Sequence, residues 1–309
     1  MNLGNNPILL NTTIKPGYMF KFVWNALIIT MLFSFAALPL SAQKVKEPTA
    51  SNPDWARPYQ PFRIAGNLYY VGTHDLACYL ITSTQGNILI NTGLASSATQ
   101  IKNNIEKLGF KFSDTRILLT TQAHFDHLGA MAAIRKMTGA KLMVDEQDAG
   151  VVKDGGSSDY ALGGNDPSYQ PMVADRLLKD GDTIRLGDTY VVMLHHPGHT
   201  KGSCSYLLNT KDDKRSYRVL IANMPTIVTD KKFSDLRGYP TVAKDYAYTL
   251  ATMKKLSFDI WVASHASQFG MHEKHKPTDL YNPAAFIDRV GYDKSLADLQ
   301  QEYEEHLKR

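Results

Sequence analysis

The stretch that most limits what this chain can become is Ile117-Leu118-Leu119-Thr120-Thr121, followed at once by Gln122-Ala-His124-Phe-Asp126-His127. The apolar run has the length and composition of a buried strand. The residues after it place two imidazoles, one carboxylate and one amide at that strand's end, where a loop can turn all four toward one point. Nitrogen ligands, an anionic oxygen and an open position for water are what a metal-dependent hydrolase requires. Gln122 is the unusual member, because its neutral amide stands where an imidazole is the more ordinary choice.

Similar strand ends recur along the chain. His195-His196-Pro-Gly198-His199-Thr-Lys-Gly-Ser203 follows the strand-like Thr189–Leu194, Ser264-His265-Ala-Ser267 lies at the end of Ile260–Ser264, and Asn91-Thr92-Gly93 follows Asn87–Ile90. Of the ten histidines, His124, His127, His199 and His265 form the candidate metal set with Asp126 and Gln122. A lone histidine is more often a packed or surface residue, but four in such settings point to metal. His195 and His196 are read as structural, with support of the site as the other choice. His74 is equally well placed as pocket wall or surface. His272, His275 and His306 lie in charged sequence and are expected to be solvated.

The wider pattern is two clusters of short strands, each followed by helices. The first cluster comprises Leu68–Val71, Ala77–Ile81 and Asn87–Ile90. A helix whose apolar face is Ile101, Ile105 and Leu108 comes next, then Ile117–Thr121, a helix over Ala130–Met137 and a strand over Lys141–Val144. Strands at Thr183–Leu186, Thr189–Leu194, Ser203–Leu208 and Arg218–Ala222 begin the second cluster. A helix over Asp245–Leu256, a strand over Ile260–Ser264 and a terminal helix over Ala284–Arg309 complete it. This order implies an α/β fold in which two β-sheets pack face to face with helices on both outer faces. The Gly/Ser/Asp segment from Asp154 to Asp166 reads as a loop. With Tyr160 it either covers the pocket or remains at the surface.

Charge excludes one class of partner. The chain carries a formal +4, and residues 1–42 hold Lys15 and Lys21 with no acid, so the remainder is close to neutral and offers no basic patch for nucleic acid. Lys21 precedes an apolar run from Phe22 to Leu40, and Leu40-Ser41-Ala42 supplies small residues before Gln43. Residues 1–42 are thus expected to be a secretory signal peptide that is removed, with Met19 as an alternative start and a retained anchor as the competing reading. Residues 43–309 are expected to be a single periplasmic domain without stable membrane association. Cys78 and Cys204 have no ligand spacing. A disulfide is open to them in an oxidising compartment, but two buried thiols fit better.

Together the motifs resemble those of the metallo-β-lactamase superfamily: H-x-H-x-D-H, a Gly-His pair, and a final His. With Gln122 at the first position and His265 in Ser-His-Ala-Ser, the chain resembles the Gln-bearing, GOB-type branch of the subclass B3 metallo-β-lactamases, from about Tyr59 to the terminal helix. The resemblance implies an αβ/βα sandwich. It also implies a first metal site of Gln122, His124 and His199 and a second of Asp126, His127 and His265, holding one or two Zn2+. The implied activity is hydrolysis of the β-lactam amide of penicillins, cephalosporins and carbapenems by metal-generated hydroxide, conferring antibiotic resistance, in a monomer. Asp126 would orient the water. Thr226 is expected to bind the substrate carboxylate.

Two departures stand out. Relatives acting on thioesters and lactones carry a bridging Asp where the strand Val219–Ala222 here runs into Asn223-Met224. Most subclass B3 enzymes have Ser where Met224 stands. The first departure counts against a thioester or lactone hydrolase, the second reading of this chain, and the full ligand set counts against a non-catalytic metal-binding protein, the third. Asn91, where many members carry Asp, is expected to affect only the support of the ligands.

Overall fold

The computed structural model describes Met1, Gly4, residues 44–49 and residues 52–309. The expected signal peptide, apart from Met1 and Gly4, lies outside them. Residues 44 onward form one compact unit. No helix among the described residues is long and apolar enough to cross a membrane.

Two mixed sheets make the frame. The first has seven strands in sequential order: β1 (Phe62–Ala65), β2 (Leu68–Tyr70), β3 (Tyr79–Ser83), β4 (Gly86–Ile90), β5 (Thr115–Leu119), β6 (Lys141–Asp145) and β7 (Arg176–Leu178). β1 to β4 are antiparallel meanders, whereas β4 to β7 run parallel. The second has five strands: β8 (Thr183–Leu186), β9 (Thr189–His195), β10 (Cys204–Lys211), β11 (Ser216–Ala222) and β12 (Ile260–Ala263). Their spatial order is β12-β11-β10-β9-β8, with only β11 and β12 parallel.

Side-chain alternation explains the layers. On β4 and β5, Ile88, Ile90, Ile117 and Leu119 face the second sheet and meet Met193, Tyr206, Leu208, Val219 and Ile221. Leu89 and Leu118 point the other way, onto Ile101 and Ile105 of α1 (Ala98–Lys107) and Ile134 of α3 (Met131–Thr138), which follows the short α2 (Phe125–Leu128). Strands covered on both faces read as unbroken apolar runs, and each such side chain contributes about 1.5–3 kcal/mol on burial. On the outer face of the second sheet, Leu220 and Trp261 are covered by α4 (Val242–Met253) and α5 (Arg289–Leu307) through Leu250, Met253, Tyr292 and Leu296. The αβ/βα sandwich expected from the sequence is the fold observed.

Several boundaries differ from expectation for identifiable reasons. Leu76 and Ala77 do not belong to β3: Leu76 bridges to His265, and Ala77 N donates to Ser264 O, so both are recruited to the end of the other sheet. The terminal helix begins at Arg289 rather than Ala284, because Pro283–Phe286 form a 3-10 turn and the Asp288 side chain caps the helix at Gly291 N. β7 lacked a sequence signal, being three residues long with two of them exposed.

The expectation that His272, His275 and His306 are solvated is incorrect. His275 is buried, stacks on Phe62 with ring centroids 3.6 Å apart, and packs beside Tyr59. His306 is buried against Phe233, its Nε2 at 2.8 Å from Lys231 O. His272 is partly buried, stacks on His74 and reaches His74 O at 2.8 Å. Charged neighbours on each helix or loop hid the single inward-facing position. Cys78 and Cys204 are both buried free thiols.

Candidate metal centre

The parallel pairs β4/β5 and β11/β12 end side by side along one edge of the sandwich, and the polar segments emerge there. Open sheets place ligands outside the carboxyl ends of their strands in the same way. The seam is tied across the sheets: Cys204 N donates to Thr121 O at 2.8 Å, Tyr206 Oη to Thr120 O at 2.8 Å, and Tyr79 Oη to Ala263 O at 2.5 Å.

After β5, Thr120 and Thr121 turn the chain, Thr120 Oγ1 donating to Gln122 O at 2.7 Å, and Gln122 follows as a buried residue. Asn91 supports this turn, its Oδ1 accepting from Thr121 N at 2.9 Å and its Nδ2 donating to Thr121 Oγ1 at 3.1 Å. Its left-handed φ of 60° is one that Asn tolerates better than most residues. Asn91 thus touches the support beneath Gln122 rather than the cleft. His124 caps α2, which carries Asp126 in its first turn and His127 in its last. A helix of only four residues, with the residue at its N-cap, therefore delivers three functional side chains.

His199 sits on the loop after β9. Gly198 before it has φ +134°, and a Cβ there would come within 2.9 Å of the Tyr246 ring. That close approach, together with the backbone angle, demands glycine. Asp148 anchors the far side of the same loop, accepting from Thr200 Oγ1 and Gly202 N, each at 2.7 Å. Burial raises its pKa to about 6. His265 follows β12 and opens the 3-10 turn Ala266–Phe269.

Asp126, His127 and His265 converge. One donor atom from each lies within 4.8 Å of the others. Asp126 Oδ2 is 3.2 Å from His127 Nε2 and 3.4 Å from His265 Nε2. The other group is adjacent: the His124 and His199 rings are 4.9 Å apart between centroids. Gln122 Oε1 and His127 Nε2 are buried without a hydrogen-bond partner. Buried polar atoms are seldom left so, and these are two of the atoms a metal would engage. Two imidazoles with a carboxylate, beside two imidazoles with an amide, are a donor set suited to zinc. The residues fit the ion.

Protonation tells the same story. Burial opposes a charge on His265, but Asp126 and Asp75 outweigh it and raise its pKa to about 9. Asp126 is held well below the usual carboxylate range: burial works against its charge, and His127 and His265 overcome it. Burial, reinforced by His124, drops His199 to about 3, and burial also lowers His127. Neutral imidazoles of this kind are ready ligands.

Some residues that orient the ligands, Asp75 above all, lie in no motif of the sequence, and others stand in roles the sequence did not indicate. Asp75 holds His265, with Oδ2 at 3.1 Å from Nδ1, which leaves Nε2 for the cleft. The Asp75 carboxylate also accepts from Trp55 Nε1 at 3.1 Å and from Ser267 N at 2.9 Å. Thr226 O lies 2.8 Å from His199 Nδ1, and the Thr226 hydroxyl lies 3.1 Å from the same nitrogen. Asp159, from the Gly/Ser/Asp loop, faces His124 Nε2 at 3.5 Å. Tyr160 of that loop donates to Gly198 O at 3.0 Å, so the loop adjoins the site. His195 pairs with Asp145 at 2.7 Å and His196 with Ser205 at 2.7 Å, both behind the cleft. His74 lies at the surface rim against Asp54 and His272. Asn223 accepts from Ser264 Oγ at 3.2 Å, and Met224 is buried. Neither offers a bridging carboxylate.

A family profile described as the metallo-beta-lactamase superfamily matches residues 72–211. Among solved structures, the chain is similar to a class B3 di-zinc metallo-β-lactamase from an Alaskan soil metagenome. That match has 73% identity and a TM-score of 0.84, covering 85% of this chain and 100% of the other. It is also similar to the metallo-β-lactamase GOB-18 from Elizabethkingia meningoseptica, at 56% identity and TM-score 0.86, covering 87% and 99%. A probable metallo-hydrolase of Burkholderia pseudomallei is 31% identical over 113 residues, 37% of each chain. The chain spans less than half the length of the curated relatives it first matches.

Proposed function

The chain belongs to the class B3 metallo-β-lactamases, and from that premise we propose that it is a zinc-dependent β-lactamase opening the lactam amide of penicillins, cephalosporins and carbapenems, and so confers resistance to them. The observation that carries this reading is the convergence of Asp126, His127 and His265, with the His124 and His199 rings packed against one another nearby. Gln122, His124 and His199 would hold one ion and Asp126, His127 and His265 the other. Zinc, when bound, supplies the Lewis acidity that makes water a nucleophile at neutral pH and polarises the lactam carbonyl.

The chain's own residues do the rest. Asp126 accepts a hydrogen bond from the attacking water and directs it at the carbonyl carbon. As the carbon–nitrogen bond breaks, the nitrogen takes up the proton that the attacking water gives up, so water is the only co-reactant consumed. We assign no side chain as a covalent nucleophile. His199 gives its Nδ1 to Thr226 O, so the Thr226 hydroxyl keeps its own proton for the substrate carboxylate at the pocket edge. Trp55 and Phe125, with ring centroids 6.2 Å apart, and Trp55 at 5.6 Å from His265, wall the second group.

Asn223 and Met224 support an amide substrate over a thioester or lactone, since related hydrolases of those esters bridge their metals with an aspartate at this strand end. We also infer export through residues 1–42 and a periplasmic monomer formed by residues 43–309. Hydrolysis of a chromogenic cephalosporin with and without a chelator tests the reading. Turnover should vanish with the chelator and return with zinc; turnover insensitive to the chelator, or none with zinc present, removes it.

A further inference from the structure

We propose that the loop over residues 154–164 is part of the first metal site, with Asp159 as the outer carboxylate that orients His124 and Tyr160 as the tether that holds the His199 loop. This inference rests on the zinc reading above and deepens it. Asp159 and His124 have side chains only 3% exposed each, and they face one another at 3.5 Å between Oδ2 and Nε2. His124 Nε2 is buried with no hydrogen-bond partner. A shift of a few tenths of an ångström brings that contact into hydrogen-bond range. With Nε2 turned to Asp159, His124 presents Nδ1 to the cleft. His199 does the reverse, giving Nδ1 to Thr226 O and presenting Nε2.

The loop is built to hold Asp159 in place. Its Oδ1 accepts from Ala161 N at 2.9 Å and Leu162 N at 2.7 Å, so Oδ2 alone is left for His124. Gly163 N donates to Asp159 O at 3.1 Å, and a Cβ on Gly163 would stand 2.2 Å from that oxygen. The loop therefore closes on itself around Asp159. The next residue, Tyr160, reaches Gly198 O at 3.0 Å, and its ring packs on Tyr239 at 4.9 Å between centroids. Two consecutive residues of one loop thus reach both imidazoles of the first group, one directly and one through the backbone beside His199.

This arrangement matters most in a chain whose third ligand there is an amide. An imidazole hydrogen-bonded to a carboxylate is a more basic, better oriented donor, and losing such a partner typically reduces metal affinity about 10- to 100-fold. Asp159 is a positioning residue that offsets the weak donor Gln122. Nothing comparable is asked of it at the second group, where Asp75 holds His265.

The test is zinc and Co2+ titration of full-length Asp159→Asn and Asp159→Ala, read by chelator competition and by the Co2+ visible spectrum. Asp159→Asn keeps an oxygen for the Ala161 and Leu162 amides, so it removes the charge without opening the loop. The first-site affinity should fall about 10- to 100-fold in both variants, with the second site within about twofold of wild type. Tyr160→Phe should weaken the first site to a lesser degree. Unchanged first-site affinity overturns the proposal. Equal weakening of both sites overturns it too, as a general folding defect. These readouts do not involve a β-lactam, so they stand apart from failure of the wild-type chain to hydrolyse one.

Discussion

Removing Asp75 isolates what orientation of a ligand contributes. Its carboxylate accepts from His265 Nδ1, Trp55 Nε1 and Ser267 N at 2.9–3.1 Å. In Asp75→Ala all three lose their acceptor. Ser267 is exposed and finds water, while Trp55 and His265 are partly enclosed. An unmet donor costs about 1–3 kcal/mol when buried, so the loss should total about 2–4 kcal/mol. For a domain of this size that lowers Tm by roughly 5–10 °C. The metal effect is separate. His265 loses the bond that fixes Nδ1–H and presents Nε2, and second-group zinc affinity should drop about 10- to 100-fold, or about 1.4–2.7 kcal/mol. Chelator competition on the folded variant reads the affinity, and thermal unfolding with and without zinc reads the stability. Asp75→Asn should fall between wild type and Asp75→Ala. Second-group affinity within twofold of wild type in Asp75→Ala would refute the reasoning, because His265 would then need no outer carboxylate.

Other consequences follow from the same geometry. Thr226→Val should raise KM several-fold across β-lactams and leave kcat nearly unchanged, since one hydrogen bond is worth about 0.5–1.5 kcal/mol; an unchanged KM in steady-state kinetics removes Thr226 from substrate binding. His196 is buried, and burial lowers its pKa to about 4 from an ordinary 6.5. Its neutral form is favoured in the native state, so stability is full above pH 6.5 and declines as pH falls through 4, by about 3 kcal/mol in total. Denaturant midpoints for wild type and His196→Asn across that range should diverge in slope, and parallel profiles would contradict the assignment. Gln122→His should narrow the affinity gap between the two metal groups; a gap that persists in competition titrations would show that the amide is not its cause.

The sandwich was legible because most strands, β7 apart, carry their own signal. Ile117–Leu119 and Val219–Ala222 are covered on both faces and read as apolar runs, while α1 shows its stripe through Ile101 and Ile105. The six ligand candidates were legible because they fall in short motifs at strand ends. Their supports were not, because topology rather than spacing brings them in. Asp75 lies 190 residues before His265 and meets it only where the β2–β3 connection crosses the end of β12. Asp159 sits in sequence that reads as loop and Asp148 lies outside every motif, yet both are buried against functional segments. His275 and His306 misled in the same direction, each being one inward position among charged neighbours. A buried polar residue in an otherwise exposed stretch leaves no periodicity to detect.

On the reading proposed above, one sandwich edge holds two unequal zinc positions, the anionic group of Asp126, His127 and His265 being the stronger. Stepwise addition of zinc to the metal-free enzyme, with occupancy and β-lactam turnover followed together, tests it most directly. The first equivalent should fill that group and bring turnover with it, and the group containing Gln122 should fill only at higher zinc. Equal filling of both positions at every zinc level would contradict the account.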